Sequence, residues 1–194
     1  MKVKYYIPTY GRLETQHTLQ EFVEKSKIKV NLVVDAKEYK AHKKLWGKEC
    51  KVLRYNGPPG ISPKRQWIIN NCDADYCVMM DDDLRFFERD EDLRLHKLTL
   101  LNDMIRDLEY MMQDYRHGGI SARQGNNNMV EDCAFNTRVT NFHFYHVATV
   151  KKTVRFSDIK VMEDFWVTLH MLQAGYPNAC LYHYCWNQVG SSSI

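Results

Sequence analysis

The sequence predicts an α/β fold: a mostly parallel central sheet with helices on both faces, followed by a smaller mixed β region. Three observations carry this expectation. Strand-length apolar runs alternate with helix-period segments through the first 83 residues. Turn-forming or acidic residues close each run. Three adjacent carboxylates, Asp81-Asp82-Asp83, end the fourth run, at the place where open α/β sheets put their ligand crevice.

The elements follow in order. Val3 to Ile7 reads as a strand, broken by Pro8-Thr9-Tyr10-Gly11. The next helix turns Leu19, Phe22 and Val23 inward. Val30 to Val34 is a second strand ending at Asp35, and a short helix then carries Tyr39, His42, Leu45 and Trp46. Lys51 to Tyr55 is the third strand, and Asn56-Gly57-Pro58-Pro59-Gly60 is a loop. Ser62-Pro63 reads as an N-cap followed by proline at the first helical position. That helix presents Trp67 and Ile68 and ends near Asn71. Tyr76 to Met80 is the fourth strand. Strand–helix alternation repeated three times calls for parallel strands joined by crossover helices.

The second half has weaker punctuation. Leu98, Leu101, Ile105, Leu108, Met112 and Tyr115 fall at helical spacing, predicting one long helix stopped by Gly118-Gly119. Ile120 to Arg123 reads as a strand, residues 124–128 as a polar loop, and Phe142 to Val150 as a strand containing His143 and His146. Glu163-Asp164 opens a helix through Ala174, closed by Gly175 and Pro177. An apolar run ends near Leu181-Tyr182-His183-Tyr184.

Composition bounds the rest. A 194-residue chain is long enough for one hydrophobic core, so residues 1–194 are expected to form a single domain with halves at 1–83 and 84–194. An apolar share of 44% and a charged share of 26% are those of a soluble globular protein. No apolar run reaches membrane-span length, and the chain enters its first strand without a signal-like segment, so a cytoplasmic location with no membrane partner is expected. None of the six cysteines forms a C-x-x-C pair, which leaves zinc-ribbon and thioredoxin-like readings little support and favours reduced, structural thiols. The net charge of +3 is mild. Nine lysines nevertheless crowd residues 25–51, as a solvated face or as a surface for a phosphate backbone.

Three groups carry candidate chemistry. The acidic triplet is either a solvated turn or a cation site, since adjacent carboxylates repel unless a positive charge offsets them. An all-oxygen set favours Mg²⁺ or Mn²⁺. Glu163-Asp164 either offsets the helix dipole or supplies Asp164 as a general base. His183 is either structural or a nitrogen ligand to the same cation.

Taken in order, Ile7-Pro8-Thr9-Tyr10-Gly11-Arg12, Gly60-Ile61-Ser62-Pro63-Lys64-Arg65-Gln66, Val78-Met79-Met80-Asp81-Asp82-Asp83, Glu163-Asp164 and His183 resemble the GT-A class of nucleotide-sugar glycosyltransferases. The likeness spans nearly the whole chain. The opening and Asp81-Asp82-Asp83-Leu84-Arg85-Phe86-Phe87 look most like small phage and kinetoplastid glycosyltransferases linked to hypermodified DNA bases. The resemblance implies a GT-A, Rossmann-like fold with a nucleotide-sugar half at 1–83 and an acceptor half at 84–194. It implies a Mn²⁺- or Mg²⁺-dependent, inverting transfer of a sugar, glucose being expected, from a UDP-sugar to a hydroxymethylated pyrimidine in DNA. For a viral chain the location would be host cytoplasm.

By the same resemblance Pro8, Thr9, Arg12, Asp35, Lys64, Arg65, Asp81 and Asp82 would bind the nucleotide sugar. Asp83, Asp81 and His183 would hold the metal, and Asp164 would be the catalytic base. Phe142, Phe144, Tyr145, Trp166 and the 124–128 loop are candidates for the acceptor side. Many family members continue past the late histidine, whereas this chain ends eleven residues after it. A glycan or protein acceptor, a nucleotidyltransferase and a non-catalytic nucleotide-binding protein are the alternatives. The single glycine in Pro8-Thr9-Tyr10-Gly11-Arg12 counts against the nucleotidyltransferase.

Overall fold

The computed structural model describes residues 1–126 and 129–189. Its first half is β1 (Val3–Pro8), α1 (His17–Lys25), β2 (Val30–Asp35), α2 (Tyr39–Trp46), β3 (Lys51–Tyr55), α3 (Ile61–Asn71) and β4 (Tyr76–Met80). The four strands pair in parallel in the order β3-β2-β1-β4. Side chains alternate across each strand, so one run feeds two cores. Tyr5, Ile7, Leu32, Val34, Val78 and Met80 pack with Leu19 and Phe22 of α1. Tyr6, Val33, Cys77 and Met79 pack on the other face with Ile68 and Ile69 of α3. Burying one such side chain is worth about 1.5–3 kcal/mol, and burial on both faces is why these strands are apolar throughout. Val23, expected inside, is exposed, as is Leu45 of α2.

Helix α3 begins two residues earlier than Ser62-Pro63 implies. Gly60, at φ +117°, stands at the N-cap, and Ser62 lies inside the helix, donating its hydroxyl to the Lys160 carbonyl at 3.2 Å. Pro63 still falls in the first turn, where its missing N–H costs nothing.

The second half is β5 (Leu84–Arg89), β6 (Leu95–Lys97), α4 (Asn102–Met111), β7 (His117–Ala122), α5 (Arg123–Asn126), β8 (Cys133–Phe135), β9 (Phe142–His146), α6 (Val147–Thr153), α7 (Glu163–Gln173) and β10 (Asn178–Gln188). These strands extend the same sheet as β4-β9-β7-β10-β5-β6, with β8 pairing on β10. β9 enters antiparallel to both β4 and β7, whereas β10 runs parallel to β7. The mixed region is therefore continuous with the parallel block. Among the described residues no helix is long and apolar enough to cross a membrane.

Several expectations change here. The long helix from Leu98 is shorter: Leu98 and Leu101 are buried before α4 begins, and α4 ends at Met111. Gly118 and Gly119 do not stop a helix; they lie inside β7. A Cβ on Gly118 would sit 2.2 Å from the Ala179 carbonyl oxygen, and one on Gly119 would sit 2.0 Å from that of Phe142. Neighbouring backbone, not a turn, demands glycine there. The strand from Phe142 stops at His146, and Val147 starts α6. Phe142, Phe144 and Tyr145 are at most 1% exposed, so they are core and not an acceptor surface. The 124–128 loop begins as helix α5, and residues 127–128 lie outside the described ones.

Candidate functional site

A cavity of about 650 Å³ opens at the carboxyl ends of β1, β2 and β4, a size suited to a small-molecule ligand. Pro8, Thr9, Arg12, Asp35, Lys64, Arg65, Asp81, Asp82 and Asp83 all line it, together with Glu163 and Gln188. Residues from six separate stretches of chain thus meet in one place.

The acidic triplet is a structural hub. Thr18, near the start of α1, donates its N–H to the Asp82 carbonyl at 3.1 Å; the Asn141 carbonyl accepts from Asp81 N–H at 2.9 Å; Val189 donates to the Asp83 carbonyl at 2.8 Å. The three side chains then diverge. Asp81 accepts from Arg65 Nη2 and from Asn141 Nδ2, each at 2.6 Å. Asp82 accepts from the Thr9 hydroxyl and from Arg12 Nη1, the latter at 2.8 Å. Asp83 pairs with the same Arg12 nitrogen at 2.8 Å and faces Gln188 Nε2 at 3.5 Å.

This changes the electrostatic expectation for the triplet. Two guanidinium groups supply positive charge that the sequence alone assigned to a cation. Arg65 is buried and spans two acids, with Nη1 on Glu163 Oε1 at 2.6 Å. Burial alone would lower its pKa, but Asp81 and Glu163 outweigh that and move it upward. Lys64, also buried, donates to the Thr9 carbonyl and pairs with Asp35, both at 2.6 Å. Burial raises the carboxyls of Asp81 and Asp82 above the ordinary range, while Arg65 and Thr9 respectively pull them back. The hydrogen bond from Arg12 to Asp83 raises the Arg12 pKa.

Five carboxylates and three cations line the cavity, a formal charge of −2. A diphosphate entering alone would meet like charge. Among the described residues no three His, Cys, Asp or Glu side chains converge as a ready metal cage. The carboxylates of the triplet are oxygen donors of the kind Mg²⁺ accepts when phosphate and water complete its shell. The donor set fits a divalent ion arriving with a phosphorylated ligand, not one held by protein alone.

Two expected site residues lie elsewhere. His183 lines a second cavity, with Nδ1 3.8 Å from Asp132; the far end of its strand reaches the triplet through Gln188 instead. Asp164 opens α7 beside the first cavity but does not line it, and its Oδ1 accepts from its own neighbour Phe165 N at 2.9 Å. Glu163, Asn141, Thr18 and Gln188 were not foreseen. The adjacent acids at 163–164 pointed to the right turn of the chain; nothing local marks the other three.

No curated protein matches the sequence. The fold resembles S. aureus TarS (residues 1–349), with a TM-score of 0.63 at 13% identity over 97% of this chain and 60% of that one. TarS has also been solved in complex with UDP. The mannosyltransferase PcManGT from Pyrobaculum calidifontis, in complex with GDP-Man and Mn²⁺, gives a TM-score of 0.64 at 10% identity over 91% of this chain and 53% of that one. A CMP:2-keto-3-deoxy-manno-octonic acid synthetase complexed with CTP gives 0.58 at 12% identity over 93% and 89%. At these identities the likeness shows the GT-A type of fold and leaves the chemistry open. The chain spans less than two thirds of the TarS and PcManGT chains. The profile of the TET-associated glycosyltransferase family matches residues 3–192, and the chain belongs to that family.

Proposed function

We propose that the chain transfers a sugar from a nucleoside-diphosphate sugar to a hydroxymethylated pyrimidine base in DNA, with inversion at the sugar C1. One observation carries the donor half of this reading: every nucleotide-binding residue expected from sequence lines the 650 Å³ cavity at the strand ends. TarS with UDP and PcManGT with GDP-Man and Mn²⁺ share the fold and support a nucleotide-sugar ligand. UDP-glucose is the donor we assign.

Pro8, Thr9 and Asp35 would border the nucleoside, and Lys64, Arg65 and Arg12 would meet the diphosphate, with Asp81 and Asp82 beside it. Asp83 and Asp81 would hold Mn²⁺ or Mg²⁺, without His183. When bound, the ion supplies charge neutralisation for a diphosphate in a cavity of formal charge −2. Lys64 and Arg65 stabilise the leaving diphosphate as the bond from C1 to its oxygen breaks. Asp164 takes the proton of the acceptor hydroxyl as that oxygen bonds to C1. Glu163 is committed to Arg65, whereas Asp164 has no ion-pair partner among the described residues, which favours Asp164 for this role.

The acceptor assignment draws on the family and on surface charge. Helix α2 and the turn after it expose Lys40, Lys43, Lys44 and Lys48, and edge strand β3 exposes Lys51 and Arg54. Such a face suits phosphate contacts whose strength falls with salt. A base within a duplex would have to leave the stack to reach C1.

The test is thermal unfolding with a panel of nucleotide sugars and Mn²⁺, followed by transfer assays on hydroxymethylcytosine DNA. A ligand at 100 times its Kd stabilises by about 2.7 kcal/mol, and Asp83→Ala is expected to abolish the shift. Transfer that requires the hydroxymethyl group and weakens with salt supports the acceptor. Stabilisation by no nucleotide sugar overturns the reading; transfer to a glycan in place of DNA replaces the acceptor alone.

A further inference from the structure

The second cavity, of about 520 Å³, opens where β10 loses register. Leu181 pairs with Ile120 and Cys185 with Ser121, so Tyr182, His183 and Tyr184 are extra residues against β7. At the same point the other edge of β10 changes partner, from β8, which ends at Leu181, to β5, which begins at Tyr184. The Asp132 carbonyl takes up the N–H groups of Tyr182 and His183 at 2.7 and 3.2 Å. A bulge at a gap between two strands thus forms one wall, a device that re-aims side chains.

Helix α4 and its continuing turn form another. Asp107, Tyr110, Asp114 and Tyr115 line the cavity at helical spacing. Tyr115 stacks on Phe135 of β8, with centroids 5.9 Å apart and planes 29° apart. Tyr110 is 69% exposed and Phe135 59% exposed. Asp107 accepts from the Tyr184 hydroxyl at 2.9 Å and meets Arg106 Nε at 3.3 Å from outside the lining. Asp132 has only His183, at 3.8 Å, and Asp114 has no ion-pair partner among the described residues. No Lys or Arg lines the cavity among those residues.

We propose that this cavity binds an organic ammonium cation, held against the rings of Tyr110, Tyr115 and Phe135 by the carboxylates of Asp114 and Asp132. A neutral ligand would use the rings and leave the acids uncompensated, and an anion would be repelled. A bare metal ion would satisfy the acids and ignore the rings. An ammonium group on an apolar stem uses both, because the aromatic face attracts a cation through its quadrupole. The inference does not rest on sugar transfer.

The experiment titrates tetramethylammonium chloride into the chain against sodium chloride at equal ionic strength, reading the tyrosine ring signals by NMR. Saturable shifts with tetramethylammonium alone are expected. Phe135→Ala and Asp114→Asn should each weaken binding by about three- to tenfold, with unfolding midpoints near the parent's. Displacement by spermidine, or by a peptide bearing trimethyllysine, identifies a free polyamine or a partner's side chain as the source. Equal responses to the two salts, or undiminished binding in both variants, overturn the proposal.

Discussion

Two cavities sit along one strand, β10, and manage negative charge differently. The first, reached by Gln188, surrounds five carboxylates with Arg12, Lys64 and Arg65. The second, at Leu181 and His183, sets three aspartates among aromatic rings with no Lys or Arg lining it among the described residues. Exposure explains the difference. Asp83 and Glu163 keep only 8% of their side chains in solvent, Asp132 keeps 82%. A deep carboxylate needs a fixed cation to fold, whereas an open one is stabilised by water until a ligand arrives. Internal arginines are therefore part of the fold in the first cavity, and the second can wait for an external charge.

The largest effect expected is on the first cavity's chemistry. Asp164→Asn should lower transfer by ~10²–10⁴-fold, the usual worth of a general base, while donor-induced stabilisation persists. A normal single-turnover rate for the variant would remove Asp164 from the mechanism.

Next comes the buried cation. Arg65→Met leaves Asp81 and Glu163 without their shared partner, and breaking a buried pair costs about 3–5 kcal/mol. Denaturant unfolding should register that loss, whereas Asp114→Asn in the second cavity should leave stability nearly unchanged. Equal effects at the two positions would erase the contrast between them.

A smaller effect tests whether the cavities are mechanically separate. Gly118→Ala places a methyl against the carbonyl of Ala179, which lines the second cavity. Overpacking of this kind costs about 1–3 kcal/mol. Stability should fall while nucleotide-sugar binding at the first cavity, measured by calorimetry, keeps its affinity. Loss of that affinity would mean that β10 transmits strain from one cavity to the other.

The smallest effect is a pH dependence. Burial raises the carboxyls of Asp81 and Asp82, so the folded chain binds their protons more readily than the unfolded chain. Their contribution to stability is full below the unfolded-state value, about 3.9, and is lost as pH rises through the raised folded-state value. Wild type should accordingly lose stability relative to Asp82→Asn as pH is taken upward from that range, read from unfolding midpoints. The opposite trend would show that Arg12 outweighs burial.

Legibility in the sequence divides along the same lines. All four parallel strands and the start of α7 were readable because apolar runs, breakers and acidic first turns are local signals. Strand β5 was missed although Leu84 and Phe86 alternate inward, because Arg85, Glu88 and Arg89 dilute the pattern. Gly118 and Gly119 were misread because a glycine that ends a helix and one that admits a neighbouring strand look alike in one dimension. Nine of the expected first-cavity positions came together there. His183 did not, since its place depends on a bulge that no spacing announces.

By itself the sequence determined the parallel half of the sheet, the acidic triplet at its strand end and the family likeness. The first two rest on residues within a dozen positions of one another, and the third on short local motifs that follow in order along the chain. Only the tertiary structure decided which charges answer the triplet and where His183 lies. Arg12 is 70 residues from Asp82, and Arg65 is 98 from Glu163. Strand order brings such partners together, and strand order follows from how the whole chain buries its two cores.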